Sequence, residues 1–400
     1  MKLGLILSND WELYGDGSGD FFEVQHGPMA ALMETCERHG AKLTLMAEVG
    51  QQWAHQRIGD RHPWAREVAE AWEKQAQEAV HRGHDVQLHL HPQWTEARYE
   101  AGWHVDYSRY ALGGLPPAEQ AALLERGRRY LEELLQDIRP AYRCLAFRAG
   151  GFLMEPSTAV IRSLIRAGIE CDTSVCKGRH YRGSLGSYDF RAAPSHYEPW
   201  FVSGSDLTRP APPGPGLLEI PIYSEPFTES PVLRKVRARL GLGWDLAGAR
   251  SLFGVAERRT GLSPAEHARH RRYLRRADAW YPVDQAPAQR AAAGRRLGSI
   301  LEKMVRRSSL MLDYDAVMPS VAAAMLVRLA ERVADRDPGR VLPVMAIGHV
   351  KSMVSTDYVD EFLTKAKGAL GGALVFWTLQ EAVQYTKHAG GGRALASSRP

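Results

Sequence analysis

The chain has 400 residues, 44% of them hydrophobic and 24% charged, with a formal net charge of +5. That length and balance suit one large α/β domain or two smaller ones with a sizeable core, and exclude a disordered chain. No segment approaches the uninterrupted apolar length of a membrane span, and the apolar run in Met1–Leu7 is too short for a secretory signal, so a cytoplasmic protein is expected.

Lys2–Leu7 reads as a first strand, with Asp10-Trp11-Glu12 at its carboxyl end, and Gly15–Gly19 as a turn-rich loop. Pro28–His39 repeats apolar residues at helical spacing until Gly40 stops it. Ala41–Val49 is a second strand, Trp64–Arg82 a long amphipathic helix closed by Gly83, and Val86–Leu90 a third strand. The alternation of strand and helix implies a parallel sheet with crossover helices. After an aromatic loop, Trp94–Tyr110, come a helix over Pro117–Ile138 and a fourth strand, Cys144–Phe147, which delivers Arg148 at its end. Ser157–Ala167 is helical, Ile169–Val175 is a short strand carrying Asp172, and Tyr181–Pro215 reads as a surface excursion. Gly216–Ile222 returns as a strand carrying Glu219.

From residue 231 to 335 the pattern is helical and rich in arginine, and between Arg234 and Arg307 basic residues outnumber acidic ones about three to one. This region is expected to be an insertion whose basic residues form a solvated helical face or, in the sharper reading, meet an anionic partner: a phosphate-bearing substrate or a membrane surface rather than nucleic acid. Val341–Ile347 is then a strand ending at Gly348-His349, followed by a helix over Asp357–Leu370, a last strand over Ala373–Trp377 and a last helix over Gln380–Lys387. Residues 389–400 read as a flexible tail. The domain reading is therefore a barrel from 1–230 and 336–388, interrupted by the basic insertion. The four cysteines, Cys36, Cys144, Cys171 and Cys176, lack the spacing of a zinc ribbon or a disulfide framework.

His89 and His91 lie two apart on the third strand, so on extended backbone both imidazoles point to one side, and Pro92 ends the strand there. In a closed parallel barrel the carboxyl ends of all strands share one mouth. Asp10, Glu12, His89, His91, Arg148, Asp172 and His349 all fall at that end. Two imidazoles plus one carboxylate, Glu12 or Asp10, make a hydrolytic metal centre, with zinc as the expected divalent ion. Such an ion polarises a carbonyl oxygen and makes hydroxide available near neutral pH. The other carboxylate would then be the general base, His349 the acid for the departing nitrogen, and Arg148 the group that orients the base.

Five segments in order carry a resemblance to the polysaccharide deacetylases of carbohydrate esterase family 4. They are Ser8-Asn9-Asp10-Trp11-Glu12, Gly83 to Pro92, Phe147-Arg148-Ala149-Gly150-Gly151-Phe152, Gly168 to Val175, and Ile347-Gly348-His349-Val350-Lys351, with Leu217–Pro221 as a further element. The resemblance implies a distorted (β/α)7-type barrel and metal-assisted removal of an acyl group from an amino sugar. It makes Asp10 the base, His89 and His91 metal ligands, Arg148 the partner of the base and His349 the acid. Two departures stand out. Trp11 follows Asp10 where many members have a second aspartate, so Glu12 is the substitute ligand or Asp10 does both jobs. Gln93 stands where a histidine four residues on would be, so the two-apart pair needs its own backbone path.

Asp172 is expected to orient Arg148 or His349 or to cap a turn, Glu219 to pair with an arginine of the mouth or meet substrate, and Trp11, Trp94 and Trp103 to stack on a sugar ring or to pack in the core or in loops. The substrate expected is a soluble, nucleotide-, glycoside- or lipid-linked saccharide, met in the cytoplasm or at the inner membrane surface. Two other readings share the sequence: a deformylase or other C–N hydrolase on the same barrel, and a saccharide-binding relative without catalysis.

Overall fold

The computed structural model describes residues 1–229, 306–353 and 355–396. Its centre is a parallel sheet built from β1 (Lys2–Trp11), β2 (Leu43–Glu48), β3 (Asp85–Leu90), β4 (Ala146–Ala149), β5 (Cys171–Asp172), β6 (Leu218–Glu219) and β7 (Val341–His349). Each pairs in parallel with the next from β1 to β6, and β7 lies along the other edge of β1, with Asp10 opposite His349. A short strand β8 (Leu374–Phe376) also pairs with the start of β1.

The sheet curls into a distorted barrel closed without a regular ladder between β6 and β7. Ile222 bridges to Met345 and Asp313 to Ile347, both in parallel. Tyr223 N donates to Met345 O at 2.9 Å, Leu312 N to Tyr223 O at 2.8 Å, and Ile347 N to Leu312 O at 3.0 Å, so two irregular segments fill the seam.

Side-chain alternation sorts the strands into two cores. Leu3, Leu5, Leu7, Leu45, Leu88 and Phe147 face the surrounding helices. Ile6, Met46, Ala146, Leu218, Met345 and Ile347 fill the barrel. Both faces being buried explains why β1 reads as a continuous apolar run. By the same parity Ser8 and Asp10 follow Ile6 into the interior, and Arg148 follows Ala146.

The helices are α1 (Gly27–Arg38), α2 (Val49–Ile58), α3 (Pro63–His81), α4 (Pro117–Leu135), α5 (Ser157–Arg166), α6 (Pro319–Arg332), α7 (Asp357–Leu370) and α8 (Leu379–Ala396). Among them α2 had no counterpart in the sequence reading. Four expectations need correction. β4 begins at Ala146, so Arg148 sits inside the strand rather than after it. The Tyr181–Pro215 stretch is not merely a surface excursion: Trp200–Ser203 and Asp206–Ala211 extend the sheet beyond β6 in antiparallel, with Trp200 and Leu207 buried. Residues 306–335 do not belong to a helical insertion throughout, since Arg306–Met311 pairs antiparallel with Ser224–Glu229 and Leu312–Tyr314 closes the barrel. The last helix continues to Ala396 across most of the expected tail. The remainder of the insertion, 230–305, lies outside the described residues.

Candidate metal centre

The interior-facing ends of β1, β2, β3, β4 and β7 converge on one buried cluster. His91 Nε2 lies 2.9 Å from Glu12 Oε2, and His89 Nε2 lies 3.6 Å from the same oxygen and 4.0 Å from Asp10 Oδ2. His349 Nε2 stands 3.4 Å from Asp10 Oδ2. One donor atom each from Glu12, Glu48, His89 and His91 lie within 4.8 Å of one another, as do one each from Asp10, Glu12 and His349.

Neighbours fix each group. His89 Nδ1 donates to the Arg148 carbonyl at 2.8 Å, which turns Nε2 toward the carboxylates, and that buried nitrogen has no hydrogen-bond partner. A backbone acceptor on the far nitrogen is the usual support of an imidazole ligand. His91 Nδ1 is 3.2 Å from the Gln93 amide. Arg148 is fully buried and commits all its arms: Nη1 to Asp10 Oδ1 at 2.5 Å, Nη2 to Ser8 Oγ at 2.8 Å, and Nε to Thr173 O at 3.1 Å. Lys351 Nζ donates to Glu12 Oε1 at 3.0 Å.

The electrostatics follow from that packing. Burial alone would raise the Asp10 carboxyl, but Arg148, His89 and His349 outweigh it and hold the group far below the usual range. Glu12 is likewise held well below its ordinary value, Lys351 and His91 overcoming burial. Burial would lower His89, yet Asp10, Glu12 and Glu48 lift it to about 9. A cavity whose carboxylates draw a proton onto a buried imidazole is one that would draw a divalent cation in its place. Two imidazoles with oxygen donors, one unsatisfied nitrogen and supported rings fit a transition metal such as zinc.

Of the residues singled out in the sequence, Asp10, Glu12, His89, His91, Arg148 and His349 come together. Asp172 does not join them: it accepts from Ser174 N at 3.0 Å and Ser174 Oγ at 2.9 Å. Glu219 is fully buried, and burial and the facing Asp172 push its carboxyl well above the ordinary value against the pull of Arg148. Trp11 is stacked on Trp72 with centroids 4.7 Å apart, and Trp94 packs with Ala54 and Ala97; both are sealed from any sugar. Trp103 instead lines a cavity of about 330 Å3 with Trp64, Tyr99, Phe21 and His55, walled also by Leu13, the residue after Glu12.

Sequence reasoning missed Glu48, Lys351 and the Asp313–Asp315 turn. The signal for Glu48 was present: it closes a strand at the mouth end and shares the interior parity of Met46. Lys351 stood inside a quoted motif without a role. Asp315 Oδ2 accepts from the His349 amide, and burial and Asp313 raise its carboxyl to about 8.

No family model matches the chain, and no curated protein matches its sequence. Among solved structures, the chain is similar to a Mycobacterium smegmatis protein described as a candidate polysaccharide deacetylase, at 12% identity and a TM-score of 0.43, over 97% of this chain and 91% of that one. It is also similar to a GH57 branching enzyme from Thermococcus kodakaraensis, crystallised with glucose, at 10% identity and a TM-score of 0.41, over 96% of this chain and 70% of that one.

Proposed function

We propose that the chain is a metal-dependent amide hydrolase that removes an acyl group from an acylated amino sugar. The observation that carries this reading is the buried meeting of His89, His91 and Glu12 beside an Asp10 gripped by Arg148 and faced by His349. His89, His91 and Glu12 would hold the divalent cation, most simply zinc. A cation held there supplies Lewis-acid polarisation of an amide carbonyl and activation of water.

The chain's own groups handle the protons. Arg148 occupies Asp10 Oδ1, leaving Oδ2 to accept a proton from the attacking water. His349 Nε2, 3.4 Å from that oxygen, is in position to give its own proton to the departing nitrogen and to be reprotonated from Asp10 afterwards. Burial lowers the proton affinity of His349, but Asp10 and Asp313 outweigh it, so the ring is suited to act as the acid. The aromatic cavity beside Leu13 offers ring faces for a pyranose, with Trp64, Tyr99 and Trp103 in place of Trp11 and Trp94. The basic stretch 234–307 would favour a phosphate-bearing or lipid-linked saccharide, met at an anionic membrane surface. Among the described residues no helix is long and apolar enough to cross a membrane.

Elemental analysis together with primary-amine release from acetylated and formylated amino sugars tests the reading. Wild type is expected to carry about one metal per chain and to release amine, and His89→Ala and His91→Ala to lose both. Full metal content in both variants would sink the assignment.

A further inference from the structure

The end of β2 places a carboxylate in this centre that the roles above leave unused. Glu48 is fully buried, and strand register sets it opposite His89, which is itself opposite Arg148. Its Oε1 accepts from Gly50 N at 2.7 Å and Gln51 N at 3.3 Å, capping α2. Its Oε2 is buried with no hydrogen-bond partner, and Glu48 supplies one carboxylate oxygen to the group whose donor atoms lie within 4.8 Å of one another. A lone carboxylate oxygen in that setting is unfavourable unless a cation meets it.

Each other carboxylate of the centre has a cation of its own. Asp10 has Arg148 at 2.5 Å, and Glu12 has Lys351 at 3.0 Å. Among the described residues no lysine or arginine pairs with Glu48: burial raises its carboxyl, and the charges that offset this are those of the His91 and His89 rings, the groups a cation would bind. Asp10 has Oδ1 held by Arg148, and its Oδ2, 3.4 Å from His349, is the oxygen assigned above to the proton of the attacking water.

We propose that Glu48, and not Asp10, is the second carboxylate on the divalent cation, giving the set Glu12, Glu48, His89 and His91, with Asp10 outside it. This rests on the metal-centre reading above. It also accounts for Trp11 and Gln93 standing where ligands were expected: the oxygen they do not supply comes from the neighbouring strand. His89 and His91 deliver nitrogens from the end of β3, Glu48 an oxygen from the adjoining β2, and Glu12 one from the end of β1 beyond it.

The test compares Glu48→Gln, Asp10→Asn and wild type after chelator stripping. Zn2+ is titrated against a chromophoric chelator, Co2+ is used for its visible spectrum, and thermal unfolding is followed with and without Zn2+. Glutamine keeps an oxygen for the α2 cap but replaces the free carboxylate oxygen with an NH2 that cannot ligate. Glu48→Gln is expected to weaken Zn2+ by more than about 100-fold, beyond the 10–100-fold typical of an outer supporting residue, and to change the Co2+ spectrum. Metal-free Glu48→Gln should melt at or above metal-free wild type, because a buried carboxyl oxygen without a hydrogen-bond partner is gone, and should gain far less from Zn2+. Asp10→Asn should bind Zn2+ within a few-fold of wild type while amine release collapses. Should the glutamine variant fail to fold, Glu48→Asp, which keeps the charge and withdraws the oxygen, is expected to weaken Zn2+ at least tenfold. Wild-type affinity in the Glu48 variant that folds, or Zn2+ lost in Asp10→Asn alone, overturns the assignment. Failure of wild type itself to bind Zn2+ would instead remove the metal reading as a whole.

Discussion

Gly150 has no room for a side chain, since a Cβ there would stand 2.5 Å from the ring of His91. Gly150→Ala should therefore push His91 off Glu12 and weaken Zn2+ at least tenfold, an effect of the size expected when a ligand is mis-set. The next residue makes the contrast. Gly151 adopts φ +58°, and Gly151→Ala should cost about 1 kcal/mol of stability through backbone strain while leaving the affinity near that of wild type. Chelator competition and urea unfolding on both variants separate the effects, and equal Zn2+ affinity in Gly150→Ala would refute the steric account. At this scale the sequence was informative wherever a polar residue broke an apolar strand at its carboxyl end, as Asp10, His89 and His91 do. It was silent on Glu48, because an acid ahead of Val49-Gly50 reads equally well as a helix cap, and that is half of what it does. The tryptophans stayed open for a related reason: a large ring near a motif suits a sugar or a core, and only packing places Trp11 on Trp72.

Helices emerged from periodicity because an amphipathic face is written in the local sequence, whereas strand edges depend on who else satisfies the backbone. β4 starts two residues later than expected because side chains take the ladder's place before it: Glu132 Oε1 accepts from Cys144 N at 3.3 Å, and Gln87 Oε1 accepts from Leu145 N at 2.9 Å and Ala146 N at 2.8 Å. The strand runs from Ala146 to Ala149, so Arg148 lies within it, on the same interior face as Ala146. α2 escaped notice since it starts directly at the end of β2, with no turn residues between them. The joint between β3 and α8 makes a prediction about pH. Asp85, fully buried at the start of β3, accepts from Gln380 N at 3.0 Å and Gln87 Nε2 at 2.9 Å. Burial raises its carboxyl from 3.8 to about 6, only partly offset by those bonds and Arg139. The folded chain thus holds a proton that the unfolded chain releases near pH 4, so the site favours folding at low pH and that contribution is lost as pH rises through 6. Asp85→Asn removes the titration, and between pH 5 and 7.5 it should gain on wild type by on the order of 1 kcal/mol in urea unfolding. Parallel stability profiles would reject it.

The whole barrel is held by segments far apart in the chain, and that is why its closure was not legible. Tyr314 OH donates to Ser8 O at 2.8 Å and accepts from Asn9 Nδ2 at 3.0 Å, so the residues that seal the seam also brace the strand that carries Asp10. In sequence they lie beyond a long arginine-rich stretch, where composition masks them. The antiparallel pair Ser224–Glu229 with Arg306–Met311 brings Glu229 directly opposite Arg306. The two ends of 230–305 therefore meet at one rung of a ladder, the geometry a two-residue turn can bridge. Replacing 230–305 by Asn-Gly should leave Zn2+ affinity and thermal unfolding close to wild type, because every ligand and both seam segments lie outside it. The same variant should lose binding to anionic phospholipid vesicles if the basic stretch provides that contact. Retained vesicle binding would assign the surface elsewhere, and loss of Zn2+ would mean that the barrel depends on the very residues its register allows it to do without.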